Sequence, residues 1–124
     1  MIRFLITIML AMGLFSGAGG NRTISSVETN GSWVYMYDAR GTKYKTLSAG
    51  SVGTVMGYSS TFFVSRNGSW IYLYDADGNK YKTLGYSTVG DVTGVAGDTF
   101  TSRNGSWIYT WSRDGRKINT RAAH

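Results

Sequence analysis

Three tryptophans, Trp33, Trp70 and Trp107, stand 37 residues apart, and each closes the tetrapeptide Asn-Gly-Ser-Trp. An indole stacks on the apolar face of a sugar ring and its N–H can reach a hydroxyl, so a regularly spaced set is a candidate binding row. Tyr37, Tyr74 and Trp111 follow four residues later in the three copies and extend that row. Repetition would give several equivalent weak sites whose affinities reinforce one another. The competing role for an aromatic residue in a strand is packing between sheets, and both readings stay open at this point. A second recurring set is basic: Lys43, Lys80 and Lys117 share the period, with Lys45 and Lys82 two positions on. On an outer strand these lysines would form a rim that binds polyanions in a salt-dependent way. The same rim would also guard a sheet edge against pairing with other chains.

Acid–base or nucleophilic chemistry finds little support. Cysteine is absent, which excludes disulfides, thiolate metal sites and thiol nucleophiles, and the one histidine is His124 at the C-terminus. Most of the 7 acidic residues fall in turn sequences. Asp75, Asp77 and Asn79 begin like a calcium loop, but Tyr86 stands where the loop needs its glutamate, and Arg40 and Ser112 replace carboxylates in the other copies. The expectation is therefore a protein without catalytic residues, metal or cofactor, and not an enzyme.

The elements that must position these residues are strands. Asn67-Gly68 is a strong hairpin signal between Thr61–Arg66 and Ser69–Tyr74, and Asp75–Gly78 is a turn leading to a fourth strand over Lys80–Leu84. An inner strand at Val52–Met56 completes the unit, and Val89–Val95 is its counterpart in the third copy. The first copy supplies Ile24–Thr29, Ser32–Tyr37 and Lys43–Leu47, without a convincing inner strand. The chain thus reads as all-β, with antiparallel β-meander repeats of 37 residues resembling propeller blades; a β-solenoid or prism is the alternative. The repeats run over about 21–50, 51–87 and 88–124, in a single β-repeat domain at 21–124. Alternation places Trp70, Tyr72 and Tyr74 on one face and Ile71 and Leu73 on the other, so both faces call for a neighbouring sheet. Three blades are too few for a closed ring, and a homo-oligomer is expected.

Composition bounds the setting. With 124 residues, 17 glycines, no proline and a net charge of +6, the chain suits one turn-rich domain that favours acidic partners. No specific nucleic-acid motif is present. Met1-Ile2-Arg3, the apolar run Phe4–Phe15 and the small residues Ser16–Gly20 have the order of a cleaved signal peptide at 1–20. Its apolar run falls short of the roughly 20 residues of a membrane span. The mature protein is expected to be secreted, periplasmic or at the cell surface, without a transmembrane segment.

Asn67-Gly68-Ser69-Trp70, Asp75–Gly78 and Val89-Gly90-Asp91-Val92 follow the order of bacterial WG (KWG) repeats, which this chain resembles over about residues 24–121. It departs where Ile71 follows Trp70, since that family has glycine there. Tyr74-Asp75-x-x-Gly78-Asn79 is similar to the YD repeats of large secreted shell proteins, whose period is shorter. Both resemblances imply binding or scaffolding. The functional expectation is a secreted lectin-like module that holds a glycan or other cell-surface ligand through its Trp and Tyr positions. A structural or protein-interaction scaffold and a salt-sensitive polyanion binder are the alternatives.

Overall fold

Eleven strands make three antiparallel sheets in the computed structural model, which describes residues 22–123. The expected signal peptide at 1–20 and His124 lie outside the described residues. Unit one comprises β1 (Ser26–Asn30), β2 (Trp33–Tyr37) and β3 (Lys43–Ser48), in that order across its sheet. Unit two is the four-stranded meander β4 (Thr54–Tyr58), β5 (Phe62–Asn67), β6 (Trp70–Asp75) and β7 (Lys80–Gly85). Unit three repeats it with β8 (Asp91–Ala96), β9 (Thr99–Asn104), β10 (Trp107–Ser112) and β11 (Lys117–Ala122). The Asn-Gly hairpins fix the register, pairing Asn30 with Trp33, Asn67 with Trp70 and Asn104 with Trp107.

The inner strands begin later than the sequence suggests. Ala49–Val52 (α1) and Tyr86–Val89 (α2) form single helical turns that carry the chain from one sheet to the next. Strand formation starts only after Gly53 and Gly90, whose φ angles are 86° and 85°. These glycines serve a second purpose, because a Cβ at Gly53 would lie 2.2 Å from the Arg66 carbonyl oxygen and one at Gly90 2.3 Å from that of Arg103. The Val-Gly pair is thus a corner where chain and neighbouring strand meet, followed by the strand that was expected to include it.

Side-chain alternation then stacks the sheets. Val27, Val34 and Met36 of unit one pack against Val52, Phe63, Tyr74 and Ala76 of unit two. The opposite face of unit two, with Phe62, Val64, Ile71 and Leu73, packs against Val89, Val92, Phe100 and Trp111 of unit three. The apolar core therefore lies in two layers between sheets, each made half by one unit and half by the next. This is why both faces of β6 are apolar, with Leu73 and Tyr74 buried on opposite sides.

A repeated polar contact closes each layer at the turn end. The Tyr44 hydroxyl donates to the carbonyl of Ala76 at 2.6 Å, and one period later the Tyr81 hydroxyl donates to that of Arg113 at 2.6 Å. Beside each tyrosine a lysine stem covers a turn glycine: a Cβ on Gly78 would stand 2.9 Å from Lys45 Cγ, and one on Gly115 would stand 3.0 Å from Lys82 Cγ. Among the described residues no helix is long and apolar enough to cross a membrane.

Candidate functional site

The asparagines of the second and third Asn-Gly-Ser-Trp segments do more than turn the hairpin. Asn67 Nδ2 donates to the carbonyls of Gly50 and Ser51 at 3.0 and 3.1 Å, and Asn104 Nδ2 donates to those of Ser87 and Thr88 at 3.0 and 3.2 Å. These bonds tie the hairpin tip to the helical turn that precedes it and satisfy carbonyls that such a short helix leaves open. Three residues on, the strand begins with tryptophan. Trp33, Trp70 and Trp107 are 50%, 51% and 49% exposed. The uniformity is informative because the units differ in their surroundings, with unit two covered on both faces. Packing between sheets therefore does not use these indoles, and the competing structural role falls elsewhere on the strand.

That role belongs to the end of the row. Tyr74 and Trp111 are buried; Tyr74 stacks on Phe63 with ring centroids 4.6 Å apart, and Trp111 stacks on Phe100 at 5.9 Å. Both rings sit inside the layers between units, which removes them from any ligand surface. Tyr37 holds the same position in unit one and is half-buried. Trp111 also donates its Nε1–H to Ser102 Oγ at 2.9 Å, both groups buried. In unit two a tyrosine replaces that tryptophan, and the buried hydroxyl of Ser65, the counterpart of Ser102, has no hydrogen-bond partner.

The lysine rim divides into two kinds. Lys43, Lys80 and Lys117 each hold the ammonium 4.0 Å from the ring centroid of a tyrosine in their own sheet: Tyr35, Tyr72 and Tyr109. Such cation–π pairs contribute on the order of 0.5–1 kcal/mol at exposed sites. Lys45 and Lys82 lay their stems over the turn glycines of the following unit. Each lysine thus has a local packing task.

At the end of the sheets opposite the tryptophans lies a shallow groove of about 320 Å³, lined by Arg22, Thr61, Asp75, Asp77, Tyr81 and Arg113. Its charges are already committed. Arg22 pairs with Asp77 at 3.6 Å and Arg113 with Asp98 at 3.4 Å. Asp75 Oδ1 accepts the backbone N–H groups of Asp77 and Asn79, both at 2.9 Å, as a turn-forming carboxylate does. Burial pushes the Tyr81 phenol up to about 12, consistent with a hydroxyl turned into the junction, although 40% of the residue stays exposed.

No family model and no curated protein matches the chain. Among solved structures it is similar to KlHsv2 with loop 6CD replaced by a Gly-Ser linker, at 16% sequence identity and a TM-score of 0.54. The match covers 75% of this chain and 32% of that one, so the chain spans about a third of that protein's length. At this identity the likeness is one of fold.

Proposed function

We propose that the protein is a non-catalytic glycan-binding module whose sites are Trp33, Trp70 and Trp107. One observation carries this reading: three indoles at the same place in three stacked units stay half exposed where the packing has no use for them. Leaving about half of a large apolar ring in water costs burial energy that a packed position would recover, on the order of 1 kcal/mol for each. Ser32, Ser69 and Ser106 precede the indoles and are exposed, offering hydroxyls beside each aromatic face. Stacked sheets sit about 10 Å apart, so the indoles repeat at that interval or more, a spacing that a polymeric ligand with recurring sugars can meet. Affinity would then come from several weak contacts acting together. In this reading the stack is a propeller-like arrangement and the protein works outside the cytoplasm.

The test is a glycan panel screened at low and high salt with the full chain. Binding of a neutral glycan that survives high salt is expected. Trp70→Ala should lower affinity several-fold while costing no more than about 1–2 kcal/mol of stability in urea melts, since the ring is half exposed. Substituting all three tryptophans should abolish binding. Loss of folding in Trp70→Ala, or a panel without neutral ligands, would favour a scaffold instead.

A further inference from the structure

The face that each unit turns toward its successor is apolar in units one and two and polar in unit three. Val27 and Val64 become Thr101, Met36 and Leu73 become Thr110, and Leu47 and Leu84 become Arg121. The junction tyrosines Tyr44 and Tyr81 become Ile118, which is 56% exposed, and the junction lysines Lys45 and Lys82 become Asn119. Residues opposite one another in an antiparallel pair share a face. Asp91, Arg103, Ile108 and Arg121 therefore form one row across β8, β9, β10 and β11, the Asp91 carboxylate being held by Arg66 and Tyr86, and Thr101, Thr110 and Asn119 form the next. With strands about 4.8 Å apart, the two guanidinium stems flank Ile108 at about 10 Å.

Arg103 differs from its counterpart in a telling way. Arg66 lies 3.6 Å over the Tyr86 ring and 3.7 Å from the Asp91 carboxylate, and Tyr86 donates to Asp91 at 2.5 Å. Arg103 keeps only the local bond from Nε to the Gly105 carbonyl, at 3.2 Å. Among the described residues neither Arg103 nor Arg121 pairs with a carboxylate. Threonine alone would make this face polar. Two unpaired arginines beside a row of hydroxyl and amide groups go further. Their forked donors match the oxygens of sulfate and carboxylate groups, while Thr101, Thr110 and Asn119 can meet sugar hydroxyls. Among the described residues the face offers no aromatic ring on which a nucleobase could stack, which sets nucleic acid aside.

We propose that the outer face of unit three binds an acidic glycan, with its anionic groups on Arg103 and Arg121 and its hydroxyls on Thr101, Thr110 and Asn119. This site is independent of the tryptophan row and lies on a different surface. The probe is a sulfated oligosaccharide titrated into the full chain across a salt series, beside an oligonucleotide of equal charge and vesicles containing anionic lipid. The expected result is preferential binding of the sulfated sugar. Arg103→Ala with Arg121→Ala weakens it at least about tenfold, as expected for charged hydrogen bonds, and flattens the salt dependence. Arg40→Ala with Arg116→Ala removes the same charge elsewhere and should change affinity by less than about twofold. Thr101→Val with Thr110→Val, which leaves the charge intact, should weaken binding several-fold. Equal loss in the control pair, equal or tighter binding of the oligonucleotide or vesicles, or no binding at low salt would overturn the proposal. Circular dichroism of each variant checks folding, and neutral-glycan binding at high salt reads the tryptophan row separately.

Discussion

Ser65 and Ser102 occupy one position a period apart, yet their hydroxyls fare differently. Ser102 accepts the buried indole N–H of Trp111, whereas Ser65, whose unit has Tyr74 in place of that tryptophan, stays unpaired. An unsatisfied buried hydroxyl costs roughly 1–3 kcal/mol. Ser65→Ala should therefore leave stability unchanged or raise it by about 1 kcal/mol, while Ser102→Ala should lower it by about 1–2 kcal/mol by stranding the indole donor; paired urea melts would show the difference in sign. Tyr81 makes a prediction in pH. Its phenol titrates near 10 in an unfolded chain and at about 12 in the folded one, so folding favours the protonated form. The stabilisation is complete below pH 10 and is lost as pH rises toward 12. Thermal melts across that window should fall less steeply for Tyr81→Phe, which loses the 2.6 Å bond to the Arg113 carbonyl but has no proton to give up. At this scale the sequence was only partly readable. Nothing in the residue types told Trp70, half exposed, from Trp111, buried, because the difference lies in how far along the strand the neighbouring sheet reaches.

Strands and hairpins were legible because each carries its own signal: β-rich alternation, Asn-Gly at the tips and Asp-x-x-Gly at the far turns. The single helical turns α1 and α2 were not. Four residues such as Ala49-Gly50-Ser51-Val52 are too short to display a helical period, and their form is fixed by contacts from elsewhere, notably the Asn67 and Asn104 amides. The corner glycines that follow are the sensitive points of these connections. Gly53→Ala and Gly90→Ala would combine a positive φ with a Cβ driven against the carbonyl of a neighbouring strand. Each should lose at least about 2 kcal/mol, more than the roughly 1–2 kcal/mol that a left-handed backbone alone costs an alanine. Urea titration of the two variants measures this, and an effect below 1 kcal/mol would mean that the corner can shift.

For the whole molecule, the outward polarity of unit three bears on assembly. Three units were expected to need a second copy to close a ring. Head-to-tail closure would press Thr101, Thr110, Arg103 and Arg121 onto the outward face of unit one, where among the described residues Glu28 is the one carboxylate on the face shared with Tyr35 and Tyr37. Ile118 could not supply the hydroxyl that Tyr44 and Tyr81 provide within the chain. Light scattering should accordingly return the mass of a monomer, and Thr101→Val, Thr110→Leu, Ile118→Tyr and Asn119→Lys together should promote association; a wild-type dimer would restore the ring. The polar residues of unit three stand in the sequence at the repeat interval, so a comparison with unit two reveals them from the sequence alone, although their meaning depends on knowing which face they occupy. The Tyr–Lys junction has a further consequence. Unit two carries the accepting half on one side, at Ala76 and Gly78, and the donating half on the other, at Tyr81 and Lys82. It is therefore complementary to a duplicate of itself. Gene duplication of this middle segment would lengthen the protein in steps of one unit without creating an unmatched surface, leaving the specialised outer face of the last unit in place.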